Sequence, residues 1–182
     1  KKAVYASTHL ANKECPPKPD YSKGYVWKLY PGYDIFLKDL DGKSVLQLTD
    51  SPGYDAEATV AFDGSKIVYT SMVSGDLEIW TMGPKGENKT QLTSELGYDS
   101  GAFFNSDASR IVWRVYHPKS ETEVDQYKAL LEENSIRPMA LQIWIMDADG
   151  SNKQQITNNG AANFGPYFFP DGKRIIFSSN LH

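Results

Sequence analysis

Cysteine, histidine and positive charge are all scarce in this 182-residue chain, which holds one Cys, three His and 19 Lys plus Arg against 23 Asp plus Glu. A single cysteine, Cys15, excludes an internal disulfide, so folding must rest on a hydrophobic core, and cysteine usage leaves the compartment open. Cys15 lies in the Pro-rich stretch Glu14-Cys15-Pro16-Pro17, where a spectator role is expected. The formal charge of -4 and the scatter of the basic residues remove the electrostatic footprint that a nucleic-acid partner requires. No apolar run approaches the roughly 18 residues needed to span a bilayer. The opening Lys1-Lys2-Ala3-Val4-Tyr5 turns polar too soon for a signal peptide. Gly-x-Ser-x-Gly, a glycine-rich phosphate loop, His-x-x-His and His-Glu-x-x-His are absent, and no convincing Cys-His pair exists. No residue is therefore assigned a catalytic role, and no cofactor is expected, with a divalent metal the one alternative.

Aromatic residues, by contrast, reach 13%, and 14 Gly and 10 Pro punctuate the chain, a composition that favours strands and turns. Two motifs recur in phase. Ile35-Phe36-Leu37-Lys38 leading to Gln47-Leu48-Thr49 returns as Ile79-Trp80-Thr81-Met82 leading to Gln91-Leu92-Thr93, and as Ile143-Trp144-Ile145-Met146 leading to Gln155-Ile156-Thr157. The intervals are 44 and 64 residues. Asp63-Gly64-Ser65-Lys66-Ile67-Val68-Tyr69 repeats at the same intervals as Asp107-Ala108-Ser109-Arg110-Ile111-Val112-Trp113 and Asp171-Gly172-Lys173-Arg174-Ile175-Ile176-Phe177. Lys2 to Ser7 matches Lys66 to Ser71. A period of this length with four short strands, read here as Ala58 to Phe62, Lys66 to Thr70, Leu77 to Met82 and Lys89 to Leu92, is a propeller blade. The expected fold is all-β, three to four blades of four antiparallel strands in one partial propeller domain, residues 1–182, with insertions at 10–33 and 117–140. Because the strands parse as 3 + 4 + 4 + 2 and a ring needs about four to eight blades, the sequence is expected to be a piece of a six- or seven-bladed ring, closed by the remainder of a longer chain.

Phe169 to Asn180, Ile143 to Asn152 and the closing Gln155-Ile156-Thr157 resemble the TolB-type propeller repeat. The resemblance covers most of the chain outside the insertions. It implies a periplasmic or extracellular scaffold that binds a protein, a peptide or an envelope polymer. Phe104-Asn105-Ser106-Asp107-Ala108 departs from the pattern, lacking its Pro and Gly, which puts the tightness of that turn in question.

Connectivity alone places both insertions on one face and the Asp-Gly hairpins on the other. Long loops on a rigid scaffold are where binding concentrates. The first insertion is Pro-rich, then aromatic, and reads as an Ω-like loop. The second carries the capping box Ser120-Glu121-Thr122-Glu123, then Val124, Tyr127, Leu130 and Leu131 at helical spacing with Asn134 as a stop, hence a short amphipathic helix docking on its own propeller.

Candidate ligand-binding residues follow from matching phase. Asp55, Asp99 and Asn163 stand just before the innermost strand of successive blades, the first two preceded by Tyr54 and Tyr98. Either each caps the crossing by accepting from nearby backbone N–H groups, or together they form an arc of acceptors at the channel mouth for a cation or a basic peptide terminus. His9 and His117 share a repeat position at the start of the two insertions. They are read as polar loop residues, with transition-metal ligation as the sharper alternative. Asp41-Gly42 and Asp147-Ala148-Asp149-Gly150 are read as hairpin turns, since the full calcium-loop pattern is missing. The leading functional reading is a non-catalytic propeller binding a protein or peptide through the insertion-bearing face. The alternative is the propeller part of a prolyl-oligopeptidase-like hydrolase, or a metal-assisted propeller lyase or hydrolase.

Overall fold

The computed structural model describes residues 1–22 and 24–181. In chain order the strands are β1 (Lys2–Ser7), β2 (Trp27–Lys28), β3 (Asp34–Asp39), β4 (Val45–Gln47), β5 (Asp55–Val60), β6 (Ile67–Ser71), β7 (Glu78–Met82), β8 (Thr90–Gln91), β9 (Tyr98–Phe104) and β10 (Arg110–Tyr116). Helix α1 (Glu121–Glu132) follows, then β11 (Ser135–Ile136), β12 (Gln142–Asp147), β13 (Gln154–Gln155), β14 (Asn163–Phe168) and β15 (Ile175–Ser179). They assemble as β1-β3-β4, β5-β6-β7-β8, β9-β10-β12-β13 and β14-β15, all antiparallel, with a separate ribbon β2-β11. These are blades of three, four, four and two strands, the parsing that the repeat implies.

Packing explains the repeat. A strand inside a blade has a neighbouring blade on each side, so the period-two alternation sends successive side chains into two different interfaces. In β6, Ile67 and Tyr69 join Ile35, Leu48 and Met82 between the first and second blades, while Val68 joins Ile79, Leu92, Ile111 and Trp113 between the second and third. In β10, Val112 turns the other way and meets Ile143 and Phe168 of the third and fourth. Both faces being apolar, β6 is buried along its whole length. An aromatic cross-strand pair recurs at the same phase in three blades: Tyr5 opposite Phe36, Tyr69 opposite Trp80, and Trp113 opposite Trp144.

The Gln-x-Thr motif has a specific use. The Thr49, Thr93 and Thr157 hydroxyls accept from the N–H groups of Ile35, Ile79 and Ile143 at 2.9, 2.8 and 2.9 Å, satisfying the donor that the short outer strand leaves unpaired. The irregular turn at Ala108 closes as tightly as its counterparts. Asp107 accepts from the Ser109 N–H at 3.0 Å, and Ala108 takes φ 57°, where the equivalent Gly64 and Gly172 take 74° and 64°.

The innermost strand differs from expectation. It begins at Asp55, three residues before the expected Ala58, because a bulge between Ala56 and Thr59 lets pairing with β6 continue beyond the alternating segment. The bulge recurs in β9 and β14, and the residue at its centre is Glu57, Gly101 or Gly165, with φ 53°, 64° and 55°.

Candidate functional site

Asp55, Asp99 and Asn163 open the inner strands at the insertion-bearing end, and all three are buried. Each uses its backbone N–H to reach the preceding blade, donating to Tyr33 O, Leu77 O and Leu141 O at 2.9, 3.0 and 3.0 Å. The side chains turn to polar partners chiefly within their own surroundings. Asp55 accepts from the Ser51 hydroxyl, Asn163 donates to Leu141 O and to Asn159, and Asp99 accepts from the Trp113 indole N–H at 2.5 Å. The backbone N–H that matters in each crossing is thus the residue's own, a donor rather than a target for its side chain. Tyr54 and Tyr98 flank the first two positions and pack into one apolar cluster.

That cluster belongs to the insertions, which build one cap. β2 of the first pairs with β11 of the second, Trp27 opposite Ile136 and Lys28 opposite Ser135. Leu29, Ile136, Leu141 and Tyr127 pack with Leu77 and Tyr98 of the blades, and Trp27 meets Tyr98 and Phe164 at ring-centroid distances of 6.1 and 6.0 Å. The helix is held as its sequence dictates. Ser120 accepts from Glu123 N–H, the Glu123 carboxylate accepts from Ser120 N–H, Tyr127 is the buried anchor of the stripe, and Asn134 takes φ 51° just beyond the end. Beneath Trp27 lies Arg114, which donates to Glu57 at 2.7 Å and to the Tyr98 hydroxyl at 2.7 Å and stacks over both the Trp27 and Tyr98 rings. The lack of a side chain at Gly101 leaves the space for it, since a Cβ there would sit 2.6 Å from an Arg114 nitrogen.

Neither a family model nor a curated protein matches the sequence. Solved structures do match. TolB from Acinetobacter baumannii superposes with a TM-score of 0.64 at 18% identity, over 85% of this chain and 35% of that one. The putative TolB from Agrobacterium tumefaciens gives 0.54 at 19% identity over 73% and 45%. Kuenenia stuttgartiensis hydrazine synthase gives 0.66 at 19% identity over 83% and 25%. The fold is that of a TolB-like β-propeller. The chain spans less than half the length of each of these structures.

Within this TolB-like propeller the two histidines of matching phase have different fates. His9 is exposed, bonds Ser7 at 3.0 Å and lies against Phe36 with ring centroids 4.4 Å apart. His117 is clamped between carboxylates, Nδ1 3.1 Å from Glu95 and Nε2 2.9 Å from Asp99. Burial alone would lower its pKa, but the Asp99 hydrogen bond and the charges of Asp99, Glu95 and Glu78 raise it. Burial pushes the neighbouring Asp99 and Asp76 upward, and Glu78 up to about 8. Among the described residues no group of three or more His, Cys, Asp or Glu converges as a metal site, and no helix is long and apolar enough to cross a membrane. Cys15 is exposed.

Two clefts score the surface of the cap on either side of Leu130. One, about 310 Å³, is walled by Tyr116, Gln126, Arg137 and Met139, and the other, about 220 Å³, by Pro17, Pro19, Lys28 and Tyr30. Sequence reading missed Arg114, Glu57 and the β2-β11 ribbon. The first two carry a signal in the repeat, since Glu57 stands where the other blades have Gly101 and Gly165, and Arg114 stands where they have Thr70 and Ser178. The ribbon carries none, being two residues long on each side.

Proposed function

We propose that this TolB-like propeller segment is a non-catalytic scaffold that binds a protein or peptide segment on the cap formed by its two insertions, working outside the cytoplasm. The observation that carries the reading is the cap itself. Loops on an ordinary blade end are short, whereas here two insertions are fused by β2-β11 over a shared apolar core into a rigid platform. The platform presents two clefts of mixed apolar and polar lining beside one another, the shape and chemistry an extended peptide fills. Envelope polymers are a less suited ligand class, because Leu130 and Met139 offer apolar contact rather than ranks of hydrogen-bonding groups.

The test is selection of binders from a displayed random-peptide library, followed by cross-link mapping. Selected peptides are expected to map to Gln126, Arg137 or Lys28. Arg137→Glu and Met139→Asp are expected to weaken them by about tenfold or more, with Phe62→Asp on the hairpin face without effect. Peptides that map to the hairpin face, or that ignore the cleft substitutions, overturn the reading.

A further inference from the structure

Beneath α1 the hydrogen bonds close only if extra protons are present. His117 faces a carboxylate oxygen at each ring nitrogen, Glu95 at 3.1 Å and Asp99 at 2.9 Å, and only an imidazolium donates to both. The Tyr127 hydroxyl lies 2.5 Å from Asp76 Oδ1 and 2.5 Å from Gly97 O. The hydroxyl proton is shared between these acceptors, and the Asp76 carboxylate also receives the N–H groups of Leu77 and Gly97 at 2.8 Å each. Glu78 is 3% exposed, and its Oε2 is buried with no partner, an arrangement that a neutral acid tolerates far better than a carboxylate.

Two of these sites tie the second insertion to the propeller, and Glu78 lies close enough for its charge to act on His117. His117 begins the second insertion and ties it to the crossing at Glu95 and to β9 at Asp99, while Tyr127 is the buried anchor of α1 and ties it to Asp76 and Gly97. We infer that the seat of the second insertion is a proton-loaded latch, in which protonated His117, beside the buried acid Glu78, holds residues 117–140 against the propeller and releases them when the protons leave. The inference rests on the fold and is independent of any ligand on the cap.

The charges around the seat favour that behaviour from every side. Facing His117 are Glu95, Asp99 and Glu78, with Asp76 close enough to act on Asp99, and the one cation sharing its small cavity among the described residues is Lys153, beyond β12. Deprotonation therefore leaves buried carboxylates close together with little to offset them. The direction is the same for His117 and Glu78. Each holds its proton more tightly docked than exposed, so its contribution is complete at low pH and is lost as pH rises through the docked pKa. For Glu78 that loss accumulates from its ordinary value of 4.5 up to about 8, and for His117 from 6.5 upward.

Amide exchange on the intact protein tests this, read as protection factors so that the intrinsic pH dependence is removed. Protection at Leu130 and Leu131 is expected to fall about tenfold or more between about pH 6 and about pH 9, with the β6 amides changing far less. Glu78→Gln, which keeps the shape and abolishes the titration, is expected to shrink that fall to about threefold or less. Proton NMR titration of His117 in the unmodified protein is expected to move together with the exchange. A flat protection profile, an undiminished fall in Glu78→Gln, or a His117 titration below its ordinary 6.5 overturns the latch, and the NMR arm decides even if the variant does not fold.

Discussion

At the scale of single residues, the repeat shows its use most clearly where one copy departs from it. Ala108 occupies the left-handed conformation that glycine fills in the other two copies of the turn, a position costing an L-residue about 1 kcal/mol. Ala108→Gly is therefore expected to stabilise the protein by up to about 1 kcal/mol, less the entropy that glycine adds to the unfolded chain, measured by urea denaturation. The threonine of each Gln-x-Thr motif carries the opposite expectation. Thr93→Val keeps the shape but orphans the Ile79 N–H, which Thr93 alone receives at 2.8 Å in a fully buried setting. A loss of about 1–3 kcal/mol is expected from the same measurement. Both roles follow from residue type and phase. What the Asp99 side chain bonds could not be read in advance, because Trp113 and His117 stand 14 and 18 residues away in the chain, whereas Asp55 and Asn163 use Ser51 and Asn159, four residues back.

At the scale of elements, the bulge in the inner strand marks where blades are joined. Glu57 accepts a left-handed backbone, and in return its carboxylate reaches across to Arg114 in the next blade at 2.7 Å, where it also receives the Ser100 hydroxyl. The pair is partly exposed, Arg114 at 13% and Glu57 at 31%, which moderates its worth through solvent screening. Arg114→Met removes the cation and leaves Glu57 strained with only the Ser100 hydroxyl to offset its charge, an expected loss of about 2 kcal/mol. Adding Glu57→Gly removes the stranded charge and relaxes the bulge, so the double variant is expected to be more stable than Arg114→Met alone. A double-mutant cycle by chemical denaturation checks the sign, and strict additivity would show that the pair does not couple. Strand order and the helix with its capping box were legible because they are local or periodic: the capping box, the Asp-turn hairpins and the 44-residue interval each state their geometry within a few residues. The cap was not, since β2 and β11 lie more than a hundred residues apart and each shows only a two-residue pairing.

At the scale of the whole molecule, burial at one repeat position varies from blade to blade and sets how stability is distributed. Val68 and Val112 are fully buried, whereas Ile176, their counterpart in β15, is 58% exposed, none of the other described blades lying against that face. Each blade contacts only its neighbours, so the four described sheets behave as an array in which the second and third have a described blade on each side. The second and third blades have all four strands and share the cluster around Trp113, Ile79 and Ile111. The fourth contributes two strands and touches the third through Phe168 and Ile175. Local opening draws on units with the fewest buried apolar contacts, so amide protection is expected to be graded across the array rather than uniform. In a polypeptide of residues 1–182 the β6 and β10 amides are expected to exchange only on global unfolding, and those of β15 at least about a hundredfold faster. Hydrogen exchange followed by mass spectrometry reads the gradient directly. Equal protection in β10 and β15 would mean that the four sheets open as one unit, and that the contact of Phe168 and Ile175 with Val112 and Ile143 is as strong as the interface around Trp113.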